Sequence, residues 1–275
     1  TWTITSPDIK RHDTLISQTD GKPFNAFTID VRPLNEPTSS TYPCLVRVGE
    51  TGFALYAGYF VGVEDAFDTV IEIPDSPGRT VAGFPGDKRA WKVETAFHRN
   101  AAHRYVYVGP SDAVSETKDA RFVVPTDLPS PLVARIKENV DRAIAFYTRK
   151  LVRKLPAKPL VIVAPNFDFA RPGVQGDTTV GPAVTLRLFG QGLKGFESGS
   201  DRLDHIIAHE AAHFWNSDTF HAAEGSPAWM WEGGAEMWAL NARTNVMKRL
   251  TQQGRREHLE KALTTCALSL FDGAL

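Results

Sequence analysis

Leu203-Asp204-His205-Ile206-Ile207-Ala208-His209-Glu210-Ala211-Ala212-His213-Phe214-Trp215 is the stretch from which the rest of the chain is read. Leu203, Ile207 and Ala211 recur every four positions, so they line one face of a helix that Ser198 or Ser200 can cap. His209 and His213 are one turn apart on another face, where two imidazoles project together and can hold one ion. Glu210 stands beside the pair. In such an H-E-x-x-H arrangement zinc takes both histidines and the intervening Glu serves as general base toward water. His205 lies one turn earlier, but its pairing with His209 encloses no Glu, and it reads as a packing or surface histidine.

A further ligand is available downstream. Ser226-Pro227 reads as a helix cap followed by proline at the first helical position, with Ala228 to Trp238 continuing the helix. Glu232 and Glu236 are one turn apart on it. One carboxylate can complete a site of two His and one Glu with an open fourth position, and the other can accept the second N–H of a ligating His. Gly233 and Gly234 would cost stability on an exposed helix face, so they are read as marking close approach of the two helices.

Outward from these helices, the chain has 275 residues, a formal net charge of -1 and two cysteines, Cys44 and Cys266, without the spacing of a zinc knuckle or redox pair. Its near-neutral balance provides no global attraction to nucleic acid. The basic cluster Arg149, Lys150, Arg153, Lys154 and Lys158 reads as the solvated end of a helix running from Ser130 to before Pro156. No apolar run reaches the ~18 residues of a membrane span. Strand-like runs at Phe27–Val31, Cys44–Val48, Thr69–Ile73 and Tyr105–Val108 are separated by turns at Pro74–Gly78 and Phe84–Asp87. Two further runs, Leu160–Val163 and Val184–Leu188, are joined by a Gly/Pro/Asp-containing loop. The expectation is an α+β protein with a β-sandwich-like N-terminal domain over residues 1–126 and a second domain over residues 127–275.

The chain resembles the gluzincin metallopeptidases. The M1 aminopeptidase family places a Glu eighteen residues after H-E-x-x-H, and residues 214–231 number eighteen, which puts Glu232 in register. Trp229 to Ala235 is similar to that family's third-ligand helix, while His213-Phe214-Trp215-Asn216 is similar to the M61 glycyl aminopeptidase family. The resemblance implies a thermolysin-like catalytic domain with one zinc ion on His209, His213 and Glu232, Glu210 as base, Glu236 behind a ligand, and a peptide or protein substrate. The substrate is expected to add a strand at Val184, Thr185, Leu186, Arg187 and Leu188.

Two family features are missing. The Gly-x-Met-Glu-Asn amine anchor is not found in Gly181 to Gly190, and no Tyr follows Glu232 to support an oxyanion; His258 is the downstream candidate and reads as a surface residue. The alternative is therefore a non-catalytic zinc-containing peptide-binding or scaffold protein. The amphipathic pattern at the C-terminus suggests a truncated chain, and Thr1-Trp2-Thr3 a processed or trimmed start; the compartment stays open, with a leaning to an extracytoplasmic or periplasmic one.

Overall fold

Leu160-Val161-Ile162-Val163-Ala164 is apolar at every position, the mark of a strand covered on both faces, and all five residues are buried in the computed structural model. The structure describes every residue except 1, 13–14, 35–36, 38–41, 61–69, 74–76, 84–86, 89–90, 95–103, 180–181, 195–199, 217–228, 249 and 272–275. The turns expected at Pro74–Gly78 and Phe84–Asp87 lie largely outside those residues, and the helix start expected at Ser226-Pro227 lies wholly outside them.

The N-terminal half contributes a five-stranded antiparallel sheet in the order β5-β6-β11-β8-β9, formed by β5 (Leu45–Val48), β6 (Gly52–Tyr56), β8 (Arg79–Ala82), β9 (Asp87–Lys88) and β11 (Tyr105–Pro110). Three antiparallel pairs accompany it: β1 (Trp2–Ile4) with β4 (Ile29–Val31), β2 (Ile9–His12) with β3 (Leu15–Gln18), and β7 (Val70–Ile73) with β10 (Trp91–Glu94). A second five-stranded sheet runs in the order β12-β13-β14-β16-β15, from β12 (Val114–Glu116), β13 (Arg121–Val123), β14 (Leu160–Asn166), β15 (Gly173–Thr179) and β16 (Ala183–Phe189). Its inner strands β13, β14 and β16 are parallel, and the outer two are antiparallel to their neighbours.

Parallel β13 and β14 need a crossover, supplied by helix α1 (Ser130–Leu151), which has Pro131 in its first turn and a left-handed Val152 at its end. Helices α2 (Gln191–Lys194), α3 (Ser200–Asn216), α4 (Trp229–Asn245) and α5 (Gln252–Phe271) follow. The period-two alternation of β14 and β16 divides their side chains between two cores. Val161, Val163, Val184, Leu186 and Leu188 pack with Leu132, Ile136, Tyr147, Leu203, Ile207 and Ala235 of the helices. Leu160, Ile162, Ala164 and Ala183 pack on the opposite face with Val46, Val48, Tyr56, Tyr105 and Tyr107 of the N-terminal sheet.

The architecture is thus α+β in three layers, sheet on sheet on helices. No helix among the described residues is long and apolar enough to cross a membrane. Lys158 of the basic cluster is paired with Glu116. Strands β12 and β13 precede residue 127 yet belong to the second sheet, so that sheet spans the boundary expected at 126/127.

Two further expectations are corrected. The run Val184, Thr185, Leu186, Arg187 and Leu188 is not an edge: β16 lies between β14 and β15 and is buried along its whole length, so its backbone is already paired on both sides. The edge beside α3 is β15, the segment read as a Gly/Pro/Asp loop.

Candidate metal centre

Helix α3 is fixed in rotation before any site forms. Asp204, fully buried, accepts Arg135 Nε at 2.9 Å, Arg135 Nη2 at 2.5 Å and Asn139 Nδ2 at 2.6 Å from α1. Tyr147 of α1 donates to the Ala208 carbonyl at 2.8 Å, and Trp215 Nε1 donates to Arg153 O at 2.9 Å. With that face held, the row Asp201, His205, His209 and His213, spaced one turn apart, faces α4. Ala208, Ala211 and Ala212 of α3 share a buried cluster with Ala235, Ala239 and Ala242 of α4, and these small side chains allow the two helices to approach. The glycines do not: a Cβ at Gly233 would meet nothing within 4 Å, and one at Gly234 only Asn216 Nδ2 at 3.9 Å, so the close-approach reading of Gly233 and Gly234 is corrected. Nothing in the structure explains Gly233.

His209 Nε2 lies 3.1 Å from His213 Nε2 and 3.1 Å from Glu232 Oε2, and His213 Nε2 lies 3.6 Å from the same oxygen. Four ligands placed tetrahedrally around zinc at ~2.0–2.1 Å stand about 3.3–3.4 Å from one another, so this triangle has the dimensions of three corners of such a site.

Proton counting supports the fit. Asn216 Nδ2 donates to the Trp231 carbonyl at 2.8 Å, which leaves Asn216 Oδ1 as acceptor for His213 Nδ1–H at 3.0 Å. Glu236 Oε2 accepts His209 Nδ1–H at 3.2 Å. When neutral, both imidazoles therefore have their proton on Nδ1 and turn Nε2 lone pairs toward each other and toward a carboxylate. Three acceptors then converge without a donor among them, and either a metal ion or a proton on His209 Nε2, which the neighbouring carboxylates favour when no metal is bound, joins them.

Glu210 points to the sheet edge rather than into the triangle of donors. Thr178 Oγ1 of β15 donates to its Oε2 at 2.8 Å, and its side chain lies flat on Gly176, where a Cβ would come within 2.4 Å of Glu210 Cγ. Only glycine leaves that space free. Tyr42, from the N-terminal half, donates to Thr178 O at 3.0 Å and stacks on Tyr56 with ring centroids 4.8 Å apart. Burial pushes its hydroxyl pKa upward, helped by Tyr56, Asp177, Glu210 and Glu232.

Two histidines read as peripheral belong to this cluster. His205 Nε2 lies 3.1 Å from Glu236 Oε2 and its Nδ1 lies 3.3 Å from Arg243 Nη1, while His258 Nε2 of α5 lies 3.1 Å from Glu236 Oε1. The reading of His205 as a packing or surface residue is corrected, whereas His258, with its side chain 41% exposed, keeps its surface position and adds a contact to Glu236. Glu236 sits at the centre of three imidazoles. Among the described residues, two overlapping groups have donor atoms within 4.8 Å of one another: His209, His213 and Glu232, and His205, His209 and Glu236. Gly176, Thr178 and Arg243 carried no sequence signal as parts of a site, because each acts through a partner distant in sequence or through its backbone, whereas Asn216 stood in the His213-Phe214-Trp215-Asn216 resemblance without a role assigned to it. No family model and no curated protein matches the chain.

Proposed function

We propose that the chain is a zinc-dependent peptidase of thermolysin-like, aminopeptidase-related architecture, with His209, His213 and Glu232 as the metal ligands. The observation that carries the reading is the pairing of a three-acceptor triangle of tetrahedral dimensions with a separately anchored carboxylate, Glu210, beside it. A scaffold protein that merely held zinc would have no use for the second feature. Zinc in that triangle would supply Lewis acidity at a carbonyl oxygen and a nucleophilic water at neutral pH. Glu210, held by Thr178, accepts the proton of the attacking water and returns it to the departing amine. The substrate backbone lies along β15, an edge strand with β16 on one side only, and displaces the Tyr42 and Arg202 donors from the Thr178 and Val174 carbonyls.

Metal analysis of the purified chain with a hydrolysis assay on a peptide library tests this. We expect one zinc per chain, lost in His213→Ala and retained in Glu210→Gln, with hydrolysis absent from both variants. Zinc retained in His213→Ala sinks the ligand set; unchanged turnover in Glu210→Gln sinks the base.

A further inference from the structure

The two overlapping groups of possible ligands compete for one residue. His209 would serve the first through Nε2 and the second through Nδ1, and distances alone do not choose: His205 Nε2 to Glu236 Oε2 is 3.1 Å, as is His209 Nε2 to Glu232 Oε2. Donor chemistry does choose. A guanidinium has five N–H donors and no acceptor. Arg243, almost completely buried on α4, lies with Nη1 3.3 Å from His205 Nδ1 and Nη2 2.7 Å from Asp201 Oδ1. His205 Nδ1 must then be the accepting nitrogen. Its single proton stays on Nε2 and points at Glu236 Oε2.

Building on the ligand set proposed above, we infer that Arg243 is a positioning residue that selects where the metal binds, acting through His205 and Glu236. With Nε2 protonated, His205 cannot offer a lone pair, and the group His205, His209 and Glu236 has one ligand too few. The same proton makes His205 a donor that holds Glu236 as a carboxylate in the orientation that receives His209 Nδ1–H. His209 is left with Nε2 as the nitrogen that a metal can take, on the side of His213 and Glu232. His258 completes the arrangement from α5 by meeting the other oxygen, Oε1. The chain of contacts follows the groove between α3 and α4, from Arg243 to His205 to Glu236 to His209. Without Arg243, the Glu236 carboxylate at 3.1 Å alone holds that proton on Nε2, and nothing opposes its move to Nδ1 when a cation competes for the Nε2 lone pair. That arrangement invites a cation at the wrong place.

The test is nitrogen-15 NMR of the imidazoles in the full chain, before and after adding zinc, combined with zinc titration of five variants. In the metal-free parent, His205 is expected to show its proton on Nε2. Zinc should shift the Nε2 resonances of His209 and His213 at one equivalent and leave His205 unligated. With zinc added, Arg243→Met should give His205 a mixture of tautomers and weaken zinc by about tenfold, within the range for losing an orienting partner of a ligand, whereas Arg243→Lys, still a donor, should stay near the parent. His205→Gln retains an N–H toward Glu236 and should bind zinc like the parent, while His205→Leu should weaken it as Arg243→Met does. A proton on Nδ1 of His205 in the parent, a second zinc equivalent that shifts His205, or equal losses in His205→Gln and His205→Leu would overturn the inference. The parent spectrum decides the tautomer even if a variant fails to fold. His213→Ala separates the two proposals: zinc kept there refutes the ligand set, whereas zinc lost there with His205 protonated on Nδ1 refutes the selection by Arg243 alone.

Discussion

His209 meets a carboxylate at each ring nitrogen, Glu236 at Nδ1 and Glu232 at Nε2. Burial is the largest single influence and pulls its pKa down, but the bonds to Glu232 and Glu236, with Glu210 nearby, outweigh it and push the value up to about 9. Glu232 is held below the usual carboxylate range, first by His209 and then by His213. Since the folded pKa of His209 exceeds the 6.5 of an ordinary imidazole, its contribution to stability in the metal-free chain is complete below pH 6.5 and is lost as pH rises through about 9. Glu232 contributes in the opposite sense, fully above its ordinary 4.5 and less as pH falls below that. Zinc has the reverse preference to His209, because it must displace that proton. Its apparent affinity should therefore rise by about tenfold per pH unit up to about pH 9 while the thermal midpoint of the metal-free chain falls over the same interval. Calorimetric titration in buffers of different ionisation heat measures the released proton directly. An affinity independent of pH between 6.5 and 8.5 would show that His209 is not charged before the metal arrives.

The elements differ in how far their sequences disclosed them. Helix α3 was legible because Leu203, Ile207 and Ala211 mark its buried face while His209 and His213, four residues apart, fall together on another. Helix α1 was legible because Pro131 and Pro156 bracket an apolar stripe. Strand β15 was not. Gly176 and Thr178 are placed there by the needs of Glu210, and Asp177 by Arg187, so the segment lacks the β-branched alternation by which a strand is recognised. His205 was misread because its role is set by Arg243, thirty-eight residues further along. Gly233 presents the contrary case, a residue visible in the sequence for which the two helices have no need. It follows the first turn of α4, exposed, with open space where a Cβ would go. Gly233→Ala should accordingly stabilise the chain by about 0.5–1 kcal/mol in urea unfolding, the ordinary difference in helix propensity. A loss of stability in that variant would reveal a constraint on the backbone of the turn that holds Glu232.

Across the whole molecule, the central sheet carries a charged pair on the face that meets the N-terminal half. Asp177 accepts Arg187 Nη2 at 2.7 Å, and both side chains are almost entirely buried. Burial pushes the Asp177 carboxyl up to about 6 against the opposing pull of Arg187, and Glu210 adds to the upward shift. Arg187 Nε and Nη1 have no acceptor among the described residues. A pair so placed is costly to break and of small net worth to keep. Arg187→Leu should destabilise the chain by about 3–5 kcal/mol, because it leaves a carboxylate buried without its counter-charge, whereas Asp177→Leu with Arg187→Leu should recover most of that loss. Denaturant unfolding of the two variants checks the difference, and equal losses would indicate that packing, not charge, sets the cost.

The same sheet has consequences for how such a chain can be divided. Leu160, Ile162, Ala164 and Ala183 are the ceiling of one compartment, while Val161, Val163, Val184 and Leu186 are the floor of the next. A party wall of this kind belongs to both neighbours. Lifting the histidine-bearing half into another gene by recombination would strip the wall's far side bare and leave it greasy and prone to clumping. Inheritance should therefore treat the two halves as a single heirloom.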